Sequence, residues 1–537
     1  MKKRQVFNPF LPLHEYIPDG EPHVFGDRVY LFGSHDREGG YTFCMDDYTV
    51  WSAPVDDLSD WRCEGVTYRA DQDPMYETYK YMYAPDVVRG NDGRYYLYYC
   101  MAGDYGIGGY RNPISVAVCD TPAGKYEYLG HVKNKDGSLM MRYVCFDPAV
   151  MNDDGVIRLY YGTQYGFEEE EGFLESGNVE TEMDMFGRTR EEILSYPDSI
   201  NGPIGCTLED DMLTVKDEPH HIIPYRVKGT DFEAHPFFEG SSMRKVGDRY
   251  YFIYSSWQNH ELCYAVSDKP DADFRFGGTV VSNGDVGYEG RAHADSLNMT
   301  GTTHGSIIEI AGEWYVFYHR LTHKSDYSRQ ACAEKINILP DGSIPQVTIT
   351  SYGLNGGPLG GQGVYPAVIA CNISNGRMPH GCNCIYNAEF PNVTNLGDDR
   401  FIGEIEDGTL IGYKFFDFKK PTALSVTARF EDEVNKVRYE GPIRVDERGV
   451  MPEANGEEKR FYKNADPADS PAYLEVRNSI DGEEIVRIII DDTPAASYAW
   501  EAFTADKPLP VGEQALYLVY HGGASGKKLQ LKDIVFI

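Results

Sequence analysis

Basic residues are scarce in this 537-residue chain: 50 Lys and Arg stand against 84 Asp and Glu, for a formal charge of −34 and a pI near 4.7. Nucleic acids and anionic membrane surfaces need a basic face. No such partner is expected, and a neutral substrate fits better. No stretch approaches the apolar length of a membrane span. The start, MKKRQVFNPFLPLHEY, lacks the apolar run of a signal peptide, its apolar part being interrupted by Pro9 and Pro12, so a cytoplasmic location is expected. Cysteine is sparse and irregular. Eleven are scattered, mostly in apolar strand contexts such as Tyr99-Cys100, and Cys382-Asn383-Cys384 lacks the CxxC spacing of zinc and redox sites. Buried, reduced thiols are the expectation.

What the chain does have is 42% apolar and 13% aromatic residues, enough for a sizeable core, and a phrase that recurs five times. The copies are IPDGEPHVFGDRVYLFGSHD from Ile17, APDVVRGNDGRYYLYYC from Ala84, FDPAVMNDDGVIRLYYGTQ from Phe146, FEGSSMRKVGDRYYFIYSS from Phe238 and THGSIIEIAGEWYVFYHR from Thr303. In each, a polar residue precedes a turn glycine by 7 or 8 positions: Asp19, Asp86, Asp147, Glu239 and His304 before Gly26, Gly93, Gly155, Gly247 and Gly312. Glycine supplies the positive φ of a tight hairpin, and the alternating aromatic and β-branched residues after it suit a half-buried strand. Each phrase reads as a β-hairpin.

The five polar residues are separated by 67, 61, 92 and 65 positions, and each unit holds further strand-like text, about four strands in all. Four-stranded units repeated radially are the blades of a β-propeller. The predicted fold is therefore all-β: a five-bladed propeller over residues 1–350, a glycine-rich linker or wrap over 351–383, and a β-sandwich of jelly-roll type over 384–537. Regularly spaced short strands such as IGYKFFDF, ALSVTARF, EIVRIII and LQLKDIVFI carry the last assignment. The long third unit contains an acidic excursion from Phe167 to Asp198, with a short helix expected around Thr189 to Ser195. As a loop on one blade it could shape or cover a face of the propeller.

Inner strands of a propeller run along its axis, so equivalent residues of different blades converge. Four carboxylates and an imidazole gathered there would raise one another's pKa, which is costly as packing and useful as a site. Glycosidic hydrolysis needs such a set: one carboxylic acid protonates the departing oxygen while a carboxylate across the sugar activates water. Tyr83 and Phe146, beside the ring, offer apolar faces to a sugar. A lone His could hold a cation through water.

The same residues resemble a known family. NPFLP with the first phrase, then YAPDV, FDPAV, FFEGSSM, TTHGSI and WYVFYHR, are similar to the catalytic propeller of glycoside hydrolase family 43, over roughly residues 6 to 350. That family holds β-xylosidases, α-L-arabinofuranosidases and arabinanases. The resemblance implies an inverting mechanism with Asp19 as general base, Asp147 as the orienting, pKa-modulating carboxylate and Glu239 as general acid. It further implies that His304 lies near a calcium ion below the site and that Arg320 reaches the sugar hydroxyls, while Asp86 is structural. The C-terminal text, including FIGEIEDGTLIGYKFFDF, ASYAWEAF and KDIVFI, resembles a family 6 carbohydrate-binding module. There Tyr413 and Trp500 stand at or near family aromatics, and Glu389 with Asp533 correspond to structural calcium ligands.

The expected activity is that of an inverting exo-glycosidase releasing xylose or arabinofuranose units from short oligosaccharides, without an organic cofactor and with a homo-oligomer possible. An endo-arabinanase, with an open groove in place of a pocket, and a non-catalytic, lectin-like propeller are the alternatives.

Overall fold

The turn glycines bend the five phrases as their spacing requires: Gly26 takes φ +68° and Gly155 +94°, and the other three are likewise left-handed. In the computed structural model, which describes residues 5–103, 108–164, 183–195, 199–380, 390–437, 461, 470–490 and 499–537, each phrase opens one antiparallel sheet. Blade 1 holds β1 (Glu21–Phe25), β2 (Arg28–Phe32), β3 (Tyr48–Pro54) and β4 (Arg62–Tyr68). Blade 2 holds β5 (Tyr81–Arg89), β6 (Tyr95–Ala102), β7 (Ser115–Cys119) and β8 (Glu127–His131). Blade 3 comprises β9 (Ala149–Asp153), β10 (Val156–Tyr161), β11 (Ile204–Leu208) and β12 (His220–His221). Blade 4 comprises β13 (Phe237–Val246), β14 (Arg249–Ser256), β15 (Glu261–Ser267) and β16 (Arg275–Ser282). Blade 5 has three strands, β17 (Ser306–Ile310), β18 (Glu313–Leu321) and β19 (Arg329–Ile336).

The inner strands touch in the cyclic order β1, β5, β9, β13, β17 and back to β1, which closes a five-bladed propeller. Each joint between blades has its own apolar core. Val87, Leu97 and Ala117 pack on Val50 and Tyr68 between blades 2 and 1, and Ile253 and Tyr264 pack on Ile307 and Val316 between blades 4 and 5. Full burial of such aliphatic side chains stabilises by roughly 1.5–3 kcal/mol each. The place of a fourth strand beside β19 is taken by the N-terminal segment. There the Asn8 side chain exchanges hydrogen bonds with the Ala333 backbone (2.9 and 3.1 Å), and the Phe10 amide donates to the Ala331 carbonyl (3.2 Å).

The helix expected in the third unit is present as α1 (Arg190–Leu194). Thr189 caps it: its hydroxyl accepts the Glu192 amide (3.2 Å) while the Glu192 carboxylate accepts the Thr189 amide (2.8 Å). Ile193 on α1 is buried in the cluster that backs Phe146.

Two further sheets form the β-sandwich. One runs β20 (Leu359–Gly360), β25 (Leu410–Phe418), β30 (Gly512–His521), β27 (Ala472–Arg477) and β28 (Val486–Ile490), with β22 (Asn372–Ser374) also on β25. The other runs β23 (Asn392–Leu396), β24 (Asp399–Ile405), β31 (Leu529–Phe536), β26 (Leu424–Phe430) and β29 (Glu501–Thr504), with β21 (Gly363–Pro366) also on β31. The stretch expected as a linker thus contributes β20, β21 and β22 to the sandwich, because its glycines punctuate strands too short to show a period-2 pattern. Propeller and sandwich are joined by buried and half-buried polar contacts. Lys414 Nζ reaches Asp285 Oδ2 and Thr348 Oγ1 at 2.7 Å each, and Arg400 bonds Glu38 and the Tyr16 hydroxyl.

Candidate active site

Asp19 lies just before β1, Asp147 just before β9, Glu239 near the start of β13 and His304 just before β17, so four blades deliver them to one end of the axis. Asp19 and Asp147 both hold positive φ, +56° and +43°. Such strain in non-glycine residues persists where surrounding structure over-determines it and clusters at functional sites. Glu239 sits between two register shifts in the β13–β14 ladder, and a bulge of this kind re-aims a side chain.

Asp19 is nearly buried and fully engaged. Its carboxylate accepts hydrogen bonds from Arg329 Nη1 (2.9 and 3.1 Å) and from the Ser34 hydroxyl (2.6 Å), and its amide donates to His319 Nδ1 (3.2 Å). His319 Nε2 donates to the Thr302 carbonyl (2.9 Å), which fixes the tautomer that leaves Nδ1 as acceptor. Burial would raise the Asp19 pKa, but Arg329, His319, His304 and Ser34 outweigh it and hold the carboxyl below its ordinary range. Burial pushes both imidazoles down, His319 to about 3, so Arg329 is the permanent cation beside Asp19. Arg329 is itself fixed by a bidentate pair with Asp36 (2.8 and 2.9 Å) and by the Phe43 ring, 4.9 Å from its guanidinium.

Glu239 and Asp147 face the opposite regime. Burial, followed by the Asp19 charge, pushes Glu239 up to about 8, with Arg329 opposing. Burial, then Glu239 and Asp19, raises Asp147 well above the carboxylate range. Asp147 Oδ2 accepts the Gly240 amide at 3.0 Å. Gly240 is at φ +75°, and a Cβ there would meet the His304 ring at 3.2 Å, so glycine is what allows this close approach. His304 lies beneath, its Nδ1 3.9 Å from Asp19 Oδ1 and 3.8 Å from Asp147 Oδ2. Tyr83 and Phe146 stand beside this group with ring centroids 6.0 Å apart, and Phe43 meets Tyr83 edge-on at 6.2 Å.

Several sequence expectations resolve differently. Arg320 does not reach the site: it is buried and donates to the Ala370 and Cys371 carbonyls (3.2 and 2.9 Å) at the edge of the sandwich. Side chains alternate along a strand, so with His319 turned to Asp19, its neighbour Arg320 must face away. Arg329 and Asp36 were not anticipated. The available signal was position, since Arg329 opens β19 and Asp36 comes soon after β2, both at the end of the blades where the polar ring gathers. Asp86 is structural: fully buried, it accepts the Val150 amide (2.8 Å) and pairs with His23 Nε2 (2.7 Å), tying blades 1, 2 and 3 together.

In the sandwich, Tyr413 is core, its hydroxyl donating to the Ala367 carbonyl (2.9 Å), and cannot offer a face to sugar. Trp500 donates to Asp399 (2.7 Å) and has the Arg429 guanidinium 4.0 Å from its ring. Asp533 stands on β31 near Lys532 and Asp399, and among the described residues it belongs to no group able to hold a metal; Glu389 lies outside the described residues.

A five-bladed propeller that gathers at one end of its axis a carboxyl lowered by a buried guanidinium and two carboxyls raised by burial and by neighbouring negative charge carries the acid and base of a glycoside hydrolase. The family model for glycosyl hydrolases family 43 matches residues 8–184. A xylosidase/arabinosidase of Thermoclostridium stercorarium is 41% identical over 97% of this chain and 98% of its own length, and one of Bacteroides ovatus is 30% identical over 57% and 86%. Among solved structures, a GH43_1 enzyme of Xanthomonas citri complexed with xylose is 25% identical, covering 66% of this chain and 96% of its own, with a TM-score of 0.48. The chain belongs to glycoside hydrolase family 43.

Proposed function

We propose that the protein is an inverting exo-glycosidase that removes xylosyl or arabinofuranosyl units from short oligosaccharides. One observation carries the mechanism: Arg329, shared between Asp19 and Asp36, hydrogen-bonds the Asp19 carboxylate directly and acts on Glu239 only through space, so two neighbouring carboxyls are driven to opposite protonation states at neutral pH. Ionised Asp19 takes a proton from the water that attacks the anomeric carbon, while protonated Glu239 gives its proton to the departing oxygen. Asp147, held by the Gly240 amide and close enough to Glu239 for the Glu239 charge to raise it, is the orienting carboxyl beside the acid. The result is a single displacement, and the released sugar carries the inverted configuration. The sugar preference rests on the named activity of the relatives. Tyr83, Phe146 and Phe43 would wall the terminal sugar.

A hydrated calcium ion fits below the carboxylates. Glu21 Oε1 and His304 Nε2 are buried without hydrogen-bond partners and lie 3.9 Å apart, and an oxygen-seeking cation would take the carboxylate oxygen directly and reach the imidazole through one of the waters that complete its shell. Held by Glu21 and His304, it would supply positive charge beneath the reacting sugar.

Purified protein is expected to hydrolyse aryl β-xyloside or aryl α-arabinofuranoside, with proton NMR showing the inverted anomer first. Hydrolysis of neither, or a retained anomer, refutes the reading. The two shifts also set the pH profile. The rate falls in acid as Asp19 gains a proton, below the ordinary aspartate range, and falls again as pH rises through about 8 and Glu239 loses its own. Measured as kcat/KM from about pH 3 to about 10, an alkaline limb in the ordinary glutamate range would contradict the assignment of the acid.

A further inference from the structure

Blade 4 carries another set of donor atoms, two strands out from the inner strand β13 that bears Glu239. Glu261 and Cys263 are two residues apart on β15, so their side chains leave one face of the strand. His235 lies in the turn that leads into β13, its amide donating to the Phe232 carbonyl (3.0 Å), and its ring stacks on Phe276 with centroids 4.8 Å apart. Its Nδ1 lies 2.6 Å from Glu261 Oε1 and 4.0 Å from Cys263 Sγ, and the three donor atoms all fall within 4.8 Å of one another. Among the described residues no other such group includes a thiol. Glu261 and Cys263 are buried, and His235, with 27% of its side chain exposed, is the member reached from solvent.

We infer that His235, Glu261 and Cys263 form a zinc site that ties the chain entering blade 4 to the third strand of that blade. Both partners of His235 converge on one nitrogen. A cysteine–histidine–carboxylate relay engages the two ring nitrogens in turn, whereas here Glu261 and Cys263 face Nδ1 together, and one nitrogen carries at most one proton. Donor atoms aimed at a common point suit a cation instead. Ligands roughly 2.0–2.3 Å from a tetrahedral ion stand about 3.3–3.7 Å apart. The 2.6 and 4.0 Å pairs bracket that spacing, so side-chain adjustments of under about 1 Å seat the ion. The charges balance as well: an ionised Glu261 and a Cys263 thiolate neutralise a divalent ion, which lowers the cost of burying it. Thiolate, imidazole and carboxylate select zinc over calcium or magnesium, which take oxygen. Glu261 also accepts the hydroxyls of Ser256 (2.7 Å) and Thr279 (2.8 Å), outer partners that fix the carboxylate. On binding, the Cys263 thiol gives its proton to solvent, His235 carries its own on Nε2, and water supplies the fourth ligand. The site is a staple, independent of which sugar the enzyme cleaves.

Cobalt tests the site, because Co²⁺ accepts zinc's tetrahedral geometry and a thiolate ligand gives it a sulfur-to-metal charge-transfer band. The reduced, metal-depleted full-length protein is titrated with Co²⁺ in excess calcium, so that the axial carboxyls do not compete. One equivalent should bring up the band, and Zn²⁺ should discharge it and raise the melting temperature by about 3 °C or more. Cys263→Ser should remove the band and weaken Zn²⁺ binding by at least about ten-fold. His235→Ala, at a partly exposed turn, should do the same and serves if the serine variant does not fold. Co²⁺ uptake without the sulfur band is surface binding only and overturns the site. A band that survives in both variants, or no uptake at all, overturns it equally.

Discussion

Glu239→Gln should lose about 10³-fold of kcat on a xylo- or arabino-oligosaccharide and far less on a nitrophenyl glycoside. The amide fills the same space and cannot supply a proton. A sugar alkoxide is a poor leaving group and depends on that proton, whereas nitrophenolate departs nearly unaided. Dependence on the leaving group, rather than the size of the loss, identifies an acid. The two kcat values, measured side by side on the folded variant, decide the matter. Equal losses on both substrates would remove Glu239 from that role.

Asp19→Asn should be the more severe change, with about 10⁴-fold lost on the oligosaccharide and on the nitrophenyl glycoside alike, because both reactions need an activated water whatever departs. The fold should survive, since Arg329 keeps its bidentate partner Asp36 and is not left as an unpaired buried cation. Steady-state rates on both substrates, with a thermal melt as control, test this. A loss confined to the oligosaccharide would assign Asp19 to the leaving group instead of the water.

The contrast between Arg320 and Arg329 shows what could be read in the chain before its structure. Equal offsets from polar residue to turn glycine made five hairpins, and equivalence among hairpins placed Asp19, Asp147, Glu239 and His304 on one axis, because that information is local and repeated. Arg329 belongs to no repeat. Its partnership with Asp19 depends on which strand end lies across the ring and on which face of β19 its side chain leaves. Arg320 was legible as a cation near the site and misplaced by one residue's alternation. The short strands between Leu359 and Ser374 were hidden for a different reason, since pieces of two to four residues between glycines show no periodicity, and only pairing with β25 and β31 reveals them. Tyr413 had the right residue type for sugar contact, but burial decides its role, and burial is a property of the packed sandwich.

The Asp19–Arg329 contact joins residues 310 positions apart, across the same joint at which the N-terminal segment lies along β19. The first blade therefore leaves the ribosome long before its partner. At bacterial or eukaryotic synthesis rates, the interval amounts to roughly 15–60 s. Through that time the base lacks the cation that tunes it. A chain that has not yet closed its fifth blade onto the first thus holds its carboxyls without the guanidinium that lowers Asp19.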